Sequence, residues 1–413
     1  MNRSATTLLL AGALRDAAGR ACRDAAVACR DGRVLAAGPR HEVEASLEAS
    51  GVAVDCLVRA DDRLVVPALV NAHAHLDLTL TPAVAYGGDF VAWLEHVIEA
   101  RPGEAHGVVA AVHQGLADSR AAGVGVVGDV AGSSAAIRAR LEANAGLAGV
   151  SLLECFGMGE GGVDRLLATA AGLADFESRA DVTLGLSPHA PYSVSPEAYD
   201  EAVAFAAQRG LPWQTHLAET PEEVRFTRDG DGPFADMLAR LGRGPAHPPT
   251  GRHPVDLLAP RLARWPGSVV HVNVLEEAHV EALARCGAAV VYCPRAAAFF
   301  GHAGHRYRAL LDAGVPVALG TDSALCHDTP GPRATSILEE MRLLHRRDGT
   351  PAHTLLRMAT THGHVALRRS PLEGELAADA PARFTAVAFD PDSRRDPLDA
   401  VLQSDGEAEL IEP

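Results

Sequence analysis

The chain has 413 residues, of which 47% are hydrophobic, and its formal net charge is −16 at pH 7. A chain of this length can bury the core of one large domain or of two to three small ones, and its acidic balance disfavours nucleic acids and anionic membranes as partners. No apolar run reaches the ~20 residues of a membrane-spanning helix, and residues 8–10 lack the sustained apolar core of a signal peptide. Seven cysteines without a CxxC pair predict a reducing, cytoplasmic location.

The sequence contains no lysine, so all 37 basic residues are arginines. This absence excludes mechanisms that use a lysine Schiff base or a P-loop lysine. It also excludes a carbamylated lysine as the bridge between two metal ions.

The first 62 residues read as short strands and turns. Residues 26–28 and 33–37 flank the turn Arg30-Asp31-Gly32, which predicts a β-hairpin. From residue 64 onward, apolar strands alternate with longer amphipathic segments, a pattern typical of βα units around a parallel sheet. The predicted strands are residues 64–70, 124–130, 150–155, 182–186, 212–215, 269–272, 288–292 and 315–319.

Eight βα units in about 300 residues fit a TIM-like (β/α)8 barrel. The alternative is an open doubly wound sheet, which usually carries a Gly-rich phosphate loop after its first strand; here that strand is followed by His73-Ala74-His75. Residues 384–389 are strand-like again. We therefore expect residues 63–367 to form the barrel, and residues 1–62 and 368–413 to form one small β-domain.

Histidines and acids collect where the predicted strands end. His73 and His75 are two residues apart, so in a strand both side chains point to the same face and can start a Zn²⁺ or Fe²⁺ site. Catalytic groups of TIM barrels lie at the C-terminal ends of the strands. Five further residues occupy such positions: His189, His216, Glu219, His271 and Asp322.

Five motifs give the chain a family resemblance. They are residues 67–75 (PALVNAHAH), 187–193 (SPHAPYS), 215–220 (THLAET), 293–295 (CPR) and 320–323 (GTDS). With these motifs, residues 64–365 resemble the amidohydrolase superfamily. Within it they are similar to the aminohydrolase branch of S-adenosylhomocysteine/methylthioadenosine deaminases, aminodeoxyfutalosine deaminases and triazine hydrolases.

The resemblance implies a ligand set for one divalent metal ion, most often zinc, with iron as the other choice: His73, His75, His216 and Asp322. Such an ion lowers the pKa of a bound water from ~15.7 towards ~7. Because lysine is absent, a second metal would need Glu154 or Cys155 as its bridge.

The resemblance also implies catalytic roles. Asp322 would accept the proton of the attacking water, and Glu219 would carry a proton to a ring nitrogen of the substrate. His271 would orient the nucleophile or stabilise developing charge, and His189 would contact the substrate.

These roles predict a hydrolytic deaminase of an aminated aromatic nitrogen heterocycle, an adenine nucleoside derivative such as aminodeoxyfutalosine. The alternatives are an amidohydrolase that acts on a cyclic amide or a halogenated triazine, and a metal-binding scaffold without catalysis. The expected partner is a small-molecule substrate, and a homo-oligomer is left open. Five further residues are left without an assigned role: Glu99, His302, His305, Cys326 and His327.

Overall fold

The computed structural model describes residues 5–143, 147–242 and 248–413. The strands are β1 Thr6–Arg15, β2 Ala21–Arg30, β3 Arg33–Pro39, β4 Cys56–Pro67, β5 Leu69–Ala74, β6 Val124–Ala131, β7 Ala148–Cys155, β8 Val182–Pro188, β9 Gln214–Leu217, β10 Ser268–His271, β11 Ala289–Tyr292, β12 Val317–Leu319, β13 Phe384–Ala388 and β14 Ala408–Ile411. The helices are α1 Arg40–Ala49, α2 Phe90–Ala100, α3 Ala105–Ala121, α4 Ser134–Glu142, α5 Gly162–Ala171, α6 Pro196–Arg209, α7 Pro221–Asp229, α8 Pro233–Arg240, α9 Pro254–Arg264, α10 Glu277–Cys286, α11 Pro294–Phe299, α12 Tyr307–Asp312, α13 Ile337–Asp348, α14 Ala352–Ala359, α15 Thr361–Ala366 and α16 Pro397–Gln403.

One mixed sheet of six strands joins the two ends of the chain. Its order is β14-β13-β4-β1-β2-β3. The hairpin predicted around Asp31 is confirmed, because β2 and β3 pair antiparallel on either side of that turn. Strand β13 pairs antiparallel with β4, with Phe384 opposite Pro67, so the C-terminal segment packs on N-terminal strands as expected.

The other eight strands, β5 to β12, are parallel to their neighbours and alternate with helices, which makes the protein α/β. They form two sheets of four strands, ordered β5-β6-β7-β8 and β12-β11-β10-β9. Two single parallel bridges link these sheets, one between Ala74 and Asp322 and the other between Leu186 and Trp213. These bridges place β5 beside β12 and β8 beside β9.

The predicted strand at residues 64–70 is wrong, because it spans parts of two strands. Strand β4 ends at Pro67 in the mixed sheet, and β5 starts at Leu69 in a parallel sheet. Both strands are buried at this junction, so the apolar run shows no break where the chain passes from one sheet to the other. His73 consequently lies inside β5, and His75 directly follows it.

Helix boundaries follow local capping chemistry. Helix α6 has Ser195 as its N-cap, with the hydroxyl accepting from the Ala198 amide, and it ends at Gly210 in the left-handed conformation. Helix α7 has the same design, with Thr220 as its N-cap. Because these helices start just after β8 and β9, their caps fix the direction in which the chain leaves the strand ends that carry His189 and His216.

Candidate active site

Four side chains converge at the carboxyl ends of the parallel strands. His73 comes from β5, His75 follows it, His216 comes from β9 and Asp322 follows β12. Each offers one nitrogen or oxygen atom, and these four atoms lie within 4.8 Å of one another. The structure thus brings together the four residues for which the sequence predicts metal binding.

The distances among these atoms fit a tetrahedral metal site. The Nε2 atoms of His75 and His216 are 3.3 Å apart, and Asp322 Oδ1 lies 3.4 Å from His73 Nε2 and 3.5 Å from His75 Nε2. Ligand atoms bound ~2.1 Å from one zinc ion at tetrahedral angles are separated by about 3.4 Å. His73 Nε2 is also buried without a hydrogen-bond partner among the described residues, as expected of an atom reserved for a metal.

Hydrogen bonds to the opposite ring nitrogens orient two of the imidazoles. His73 Nδ1 lies 2.6 Å from Gln214 Oε1, and the Gln214 amide donates to the carbonyl of Ala72 and to Ser268 Oγ. His216 Nδ1 donates to the carbonyl of His189 over 2.9 Å. Each contact leaves the Nε2 lone pair facing the cluster, which is the usual support of a metal-bound histidine.

A second group overlaps the first at Asp322. Glu219, His271 and Asp322 also offer atoms within 4.8 Å of one another, and Glu219 Oε1 lies 3.6 Å from His271 Nε2. The loop that carries Glu219 is fixed by the buried carboxylate of Glu223, which accepts from the backbone amides of Ala218 and Glu219. An acid and an imidazole therefore stand beside the four-residue cluster.

The backbone is strained where it carries these groups. Ala218, His271, Val272 and Asp322 all have positive φ, at 48°, 70°, 46° and 62°. Residues with a Cβ rarely adopt such angles, and a β-branched valine does so least of all. This strain is concentrated at the strand ends that carry Glu219, His271 and Asp322.

Burial sets the protonation states at the site. Burial, with His189 and His73 adding to it, lowers the pKa of His216 to about 3, so the ring is neutral and able to bind a metal. Burial, followed by the charge of Asp322, raises the pKa of Glu219 well above its usual value. Burial thus favours the protonated form of the Glu219 carboxyl, which is the form that a general acid requires.

A cavity of about 190 Å³ opens onto the cluster. The 3₁₀ turn after His75, the helices α2 and α8 and the segment after β7 supply its apolar wall: Leu78, Phe90, Trp93, Leu94, Val97, Ile98, Met158, Met237, Leu238 and Leu241. An ion pair of 2.8 Å between Glu95 and Arg240 joins these two helices. An apolar wall facing a polar cluster suits a flat, largely apolar ligand with a few polar groups.

His189 lines this cavity, as expected of a substrate contact. Its ring lies between those of Phe156 and His216, with centroids 4.9 and 5.0 Å away. Burial, followed by the charge of Arg101, lowers its pKa to about 3. A neutral imidazole on the cavity wall can form hydrogen bonds with a ligand.

Two cavity residues were missed by sequence reasoning or given another role. Arg101 lines the cavity and is held by Asp77 over 2.8 Å, whereas Glu99, two residues earlier, is exposed and does not line it. Glu154 also lines the cavity, 3.8 Å from Arg101 and 3.9 Å from His189, and belongs to neither potential metal group. Trp93, Val97 and Arg101 follow one another at intervals of four residues, which places them on one face of a helix. This spacing in the sequence would have identified Arg101 as a cavity residue.

The remaining open residues have structural contacts around the site. Cys326 Sγ lies 3.5 Å from Asp322 Oδ2, and His327 Nε2 contacts the carbonyl of Thr321 at 2.8 Å. His305 Nε2 contacts the carbonyl of His271 at 2.7 Å. These three side chains therefore contact the carboxyl end of β10 and the segment that follows β12. His302 Nε2 is buried without a hydrogen-bond partner among the described residues.

The chain belongs to the amidohydrolase family, whose model matches residues 64–409. It is 33% identical over 280 residues to the aminodeoxyfutalosine deaminase of Deinococcus radiodurans, a match that covers 64% of this chain and 65% of that relative. It is also 29% identical over 396 residues to the 5-methylthioadenosine/S-adenosylhomocysteine deaminase of Nitratidesulfovibrio vulgaris, which covers 90% of this chain and 81% of the relative.

Solved structures share the fold at low identity. The aminofutalosine deaminase of Helicobacter pylori superposes with a TM-score of 0.78 at 20% identity and covers 98% of both chains. The atrazine chlorohydrolase of Arthrobacter aurescens, solved with zinc, superposes with a TM-score of 0.76 at 21% identity, over 97% of this chain and 92% of that one. Separately, none of the helices in residues 5–143, 147–242 and 248–413 has the length and hydropathy needed to cross a bilayer.

Proposed function

We propose that this protein is a metal-dependent hydrolase that replaces the exocyclic amine of an adenine nucleoside derivative with oxygen and releases ammonia. One observation carries the proposal: a buried cluster of three imidazoles and a carboxylate lies beside Glu219 and His271 and borders an apolar cavity. The deaminases among its relatives support this reaction, and aminodeoxyfutalosine is our first choice of substrate on overall similarity.

The proposed ligands of the metal are His73, His75, His216 and Asp322, and we propose one zinc ion. Zinc in the related atrazine chlorohydrolase structure supports this choice over iron. When bound, the metal supplies a Lewis acid that makes water nucleophilic at neutral pH.

The remaining chemistry belongs to side chains of this chain. Asp322 takes the proton of the attacking water, and Glu219, whose protonated form is favoured by burial, delivers a proton to the ring nitrogen next to the amine. His271, 3.6 Å from Glu219, orients the nucleophile and stabilises the charge that develops. His189 binds the substrate from the cavity wall.

We also propose that strands β5 to β12 form a single (β/α)8 barrel, because single bridges link the two parallel sheets at both seams and relatives of this fold superpose over almost the whole chain. The six-stranded sheet then forms the small domain. The boundaries at residues 62/63 and 367/368 stay a prediction; β4 runs through the first of them.

The proposal is tested with metal-free protein reconstituted with zinc. Adenosine, 5′-methylthioadenosine, S-adenosylhomocysteine and aminodeoxyfutalosine are each incubated with it, while ammonia and the ultraviolet change of the purine are followed together. We expect both signals in equal amounts from at least one nucleoside. If no aminated heterocycle is turned over by metal-loaded protein, the proposal is wrong.

The runner-up function is hydrolysis of a cyclic amide or a halogenated triazine by the same centre. The structural similarity to the atrazine chlorohydrolase favours keeping it as the second candidate. Product analysis separates the two, because a triazine substrate releases chloride and a cyclic amide gives a ring-opened acid, each without ammonia.

A further inference from the structure

One buried carboxylate faces the cavity without a hydrogen bond among the described residues. Glu154 is the second-last residue of β7 and is only 6% exposed. Among the described residues its side chain has no hydrogen bond, although a buried carboxylate normally accepts several. Glu154 lines the cavity, so a ligand there can supply the missing donors.

Two nitrogen atoms flank this carboxylate at similar distances. Arg101 Nη1 lies 3.8 Å from Glu154 Oε2, and His189 Nε2 lies 3.9 Å from Glu154 Oε1. Both distances are too long for hydrogen bonds. An oxygen atom placed beside either pair can lie ~2.8 Å from both of its atoms.

Both side chains are held in place. Arg101 Nη2 donates to the buried carboxylate of Asp77 over 2.8 Å, which leaves Nη1 facing Glu154. Gly132 lies against this pair: a Cβ at that position would overlap the Arg101 guanidinium. The Ser193 hydroxyl donates to the carbonyl of Ala190 over 3.0 Å and accepts from His189 Nδ1 over 2.7 Å, so the neutral His189 ring presents Nε2 to the cavity as an acceptor.

We propose that Arg101, Glu154 and His189 form a subsite for two vicinal hydroxyl groups of the ligand, which under the proposed function are the 2′- and 3′-hydroxyls of the ribose. A hydroxyl is both donor and acceptor, so one hydroxyl accepts from Arg101 and donates to Glu154, and the neighbouring hydroxyl donates to His189 Nε2. This inference rests on the proposed function for the identity of the sugar.

The position of the subsite agrees with a bound nucleoside. The ring of His189 stands between Glu154 and His216, a member of the four-residue metal cluster. A purine whose amine faces that cluster carries its sugar at the opposite end, so the ribose lies one side chain away from the cluster. The charges at the subsite agree with this assignment. The two carboxylates of Asp77 and Glu154 outnumber the single guanidinium of Arg101, so the subsite favours a ligand with hydroxyl donors over an anionic ligand.

The test compares adenosine with 2′-deoxyadenosine and 3′-deoxyadenosine on zinc-loaded wild type, Glu154→Gln and Glu154→Ala. Glu99→Gln is the matched control, because Glu99 is an exposed acid outside the cavity. In the wild type and the control we expect loss of either hydroxyl to lower kcat/KM about 10- to 100-fold. Glu154→Ala should bring at least one of the two ratios within about threefold, and Glu154→Gln, which keeps one acceptor oxygen, should reduce the same ratio.

The same three nucleosides are titrated calorimetrically into the same proteins, so that binding is judged apart from turnover. If there is binding with these ratios but no ammonia release, the subsite stands and the proposed function fails. If adenosine is turned over with equal ratios in wild type and both Glu154 variants, the subsite is wrong and the proposed function stands. A protein that neither binds nor deaminates any of the three contradicts both.

Discussion

His73, His75, His216 and Asp322 illustrate what single residues reveal before a structure is known. Their positions at or near the ends of apolar segments were enough to predict that they meet, because the carboxyl ends of parallel strands share one edge. Gln214 could not be found in this way. It lies two residues before His216 and orients His73, a contact that exists only once β5 and β9 are brought together.

The role of Glu219 is tested by Glu219→Gln, which keeps the shape of the side chain and removes its proton transfer. We expect kcat to fall by about 10²- to 10⁴-fold, with the metal content unchanged because Glu219 lies outside the four-residue cluster. Steady-state kinetics and elemental analysis measure the two quantities. Glu222→Gln, in the first turn of α7, is the control. Full activity in Glu219→Gln, or loss of metal with it, would contradict the assigned role.

At the scale of elements, alternation of apolar and amphipathic segments predicted the eight parallel strands but not all of their limits. The error at residues 64–70 arose because β4 and β5 are both buried where one sheet passes into the other. The cavity wall was beyond sequence reasoning for another reason. Helices α2 and α8 are far apart in the chain, and their contact depends on tertiary packing such as the Glu95–Arg240 ion pair.

Close packing of β6 against β7 predicts the effect of a single methyl group. Gly149 in β7 has φ of 143°, and a Cβ there would overlap the carbonyl oxygen of Val127 in β6. We therefore expect Gly149→Ala to lower the free energy of unfolding by more than about 3 kcal/mol. Urea denaturation followed by circular dichroism measures it.

Gly172→Ala is the matched control for this substitution. Gly172 has φ of −62° and no atom near its Cβ position, so alanine should leave stability unchanged or raise it by about 0.4–1 kcal/mol. Equal stability of Gly149→Ala and Gly172→Ala would contradict the packing of these two strands.

At the scale of the whole molecule, composition predicted an acidic globular protein, and the absence of lysine limited its chemistry. The union of the two chain ends in one sheet was predicted from the strand-like tail. Titratable side chains buried far from the cavity were not predicted, since burial is a property of the finished fold. His364 in α15 is one of these: it is 1% exposed, and burial lowers its pKa to about 4.

His364 gives the folded protein a defined pH dependence. Its folded pKa of about 4 lies below the ~6.5 of an unfolded chain, so between these values the unfolded state binds more protons and stability falls as the pH falls. We expect the wild type to lose about 3 kcal/mol relative to His364→Gln between pH 7 and pH 4.

Urea denaturation at several pH values measures this difference. His353→Gln removes an exposed histidine from the neighbouring helix α14 and should not change the slope. A pH dependence that is identical in wild type and His364→Gln would show that His364 is not buried as a neutral ring.

The most direct test of the account is a titration of metal-free protein with zinc while ammonia release from its best adenine nucleoside is followed. One site built from His73, His75, His216 and Asp322 predicts that activity rises in proportion to added zinc and reaches its maximum at one equivalent per chain. Ammonia release that is independent of zinc, or that is absent at every zinc ratio from all nucleosides offered, would contradict the claim that this is a metal-dependent deaminase.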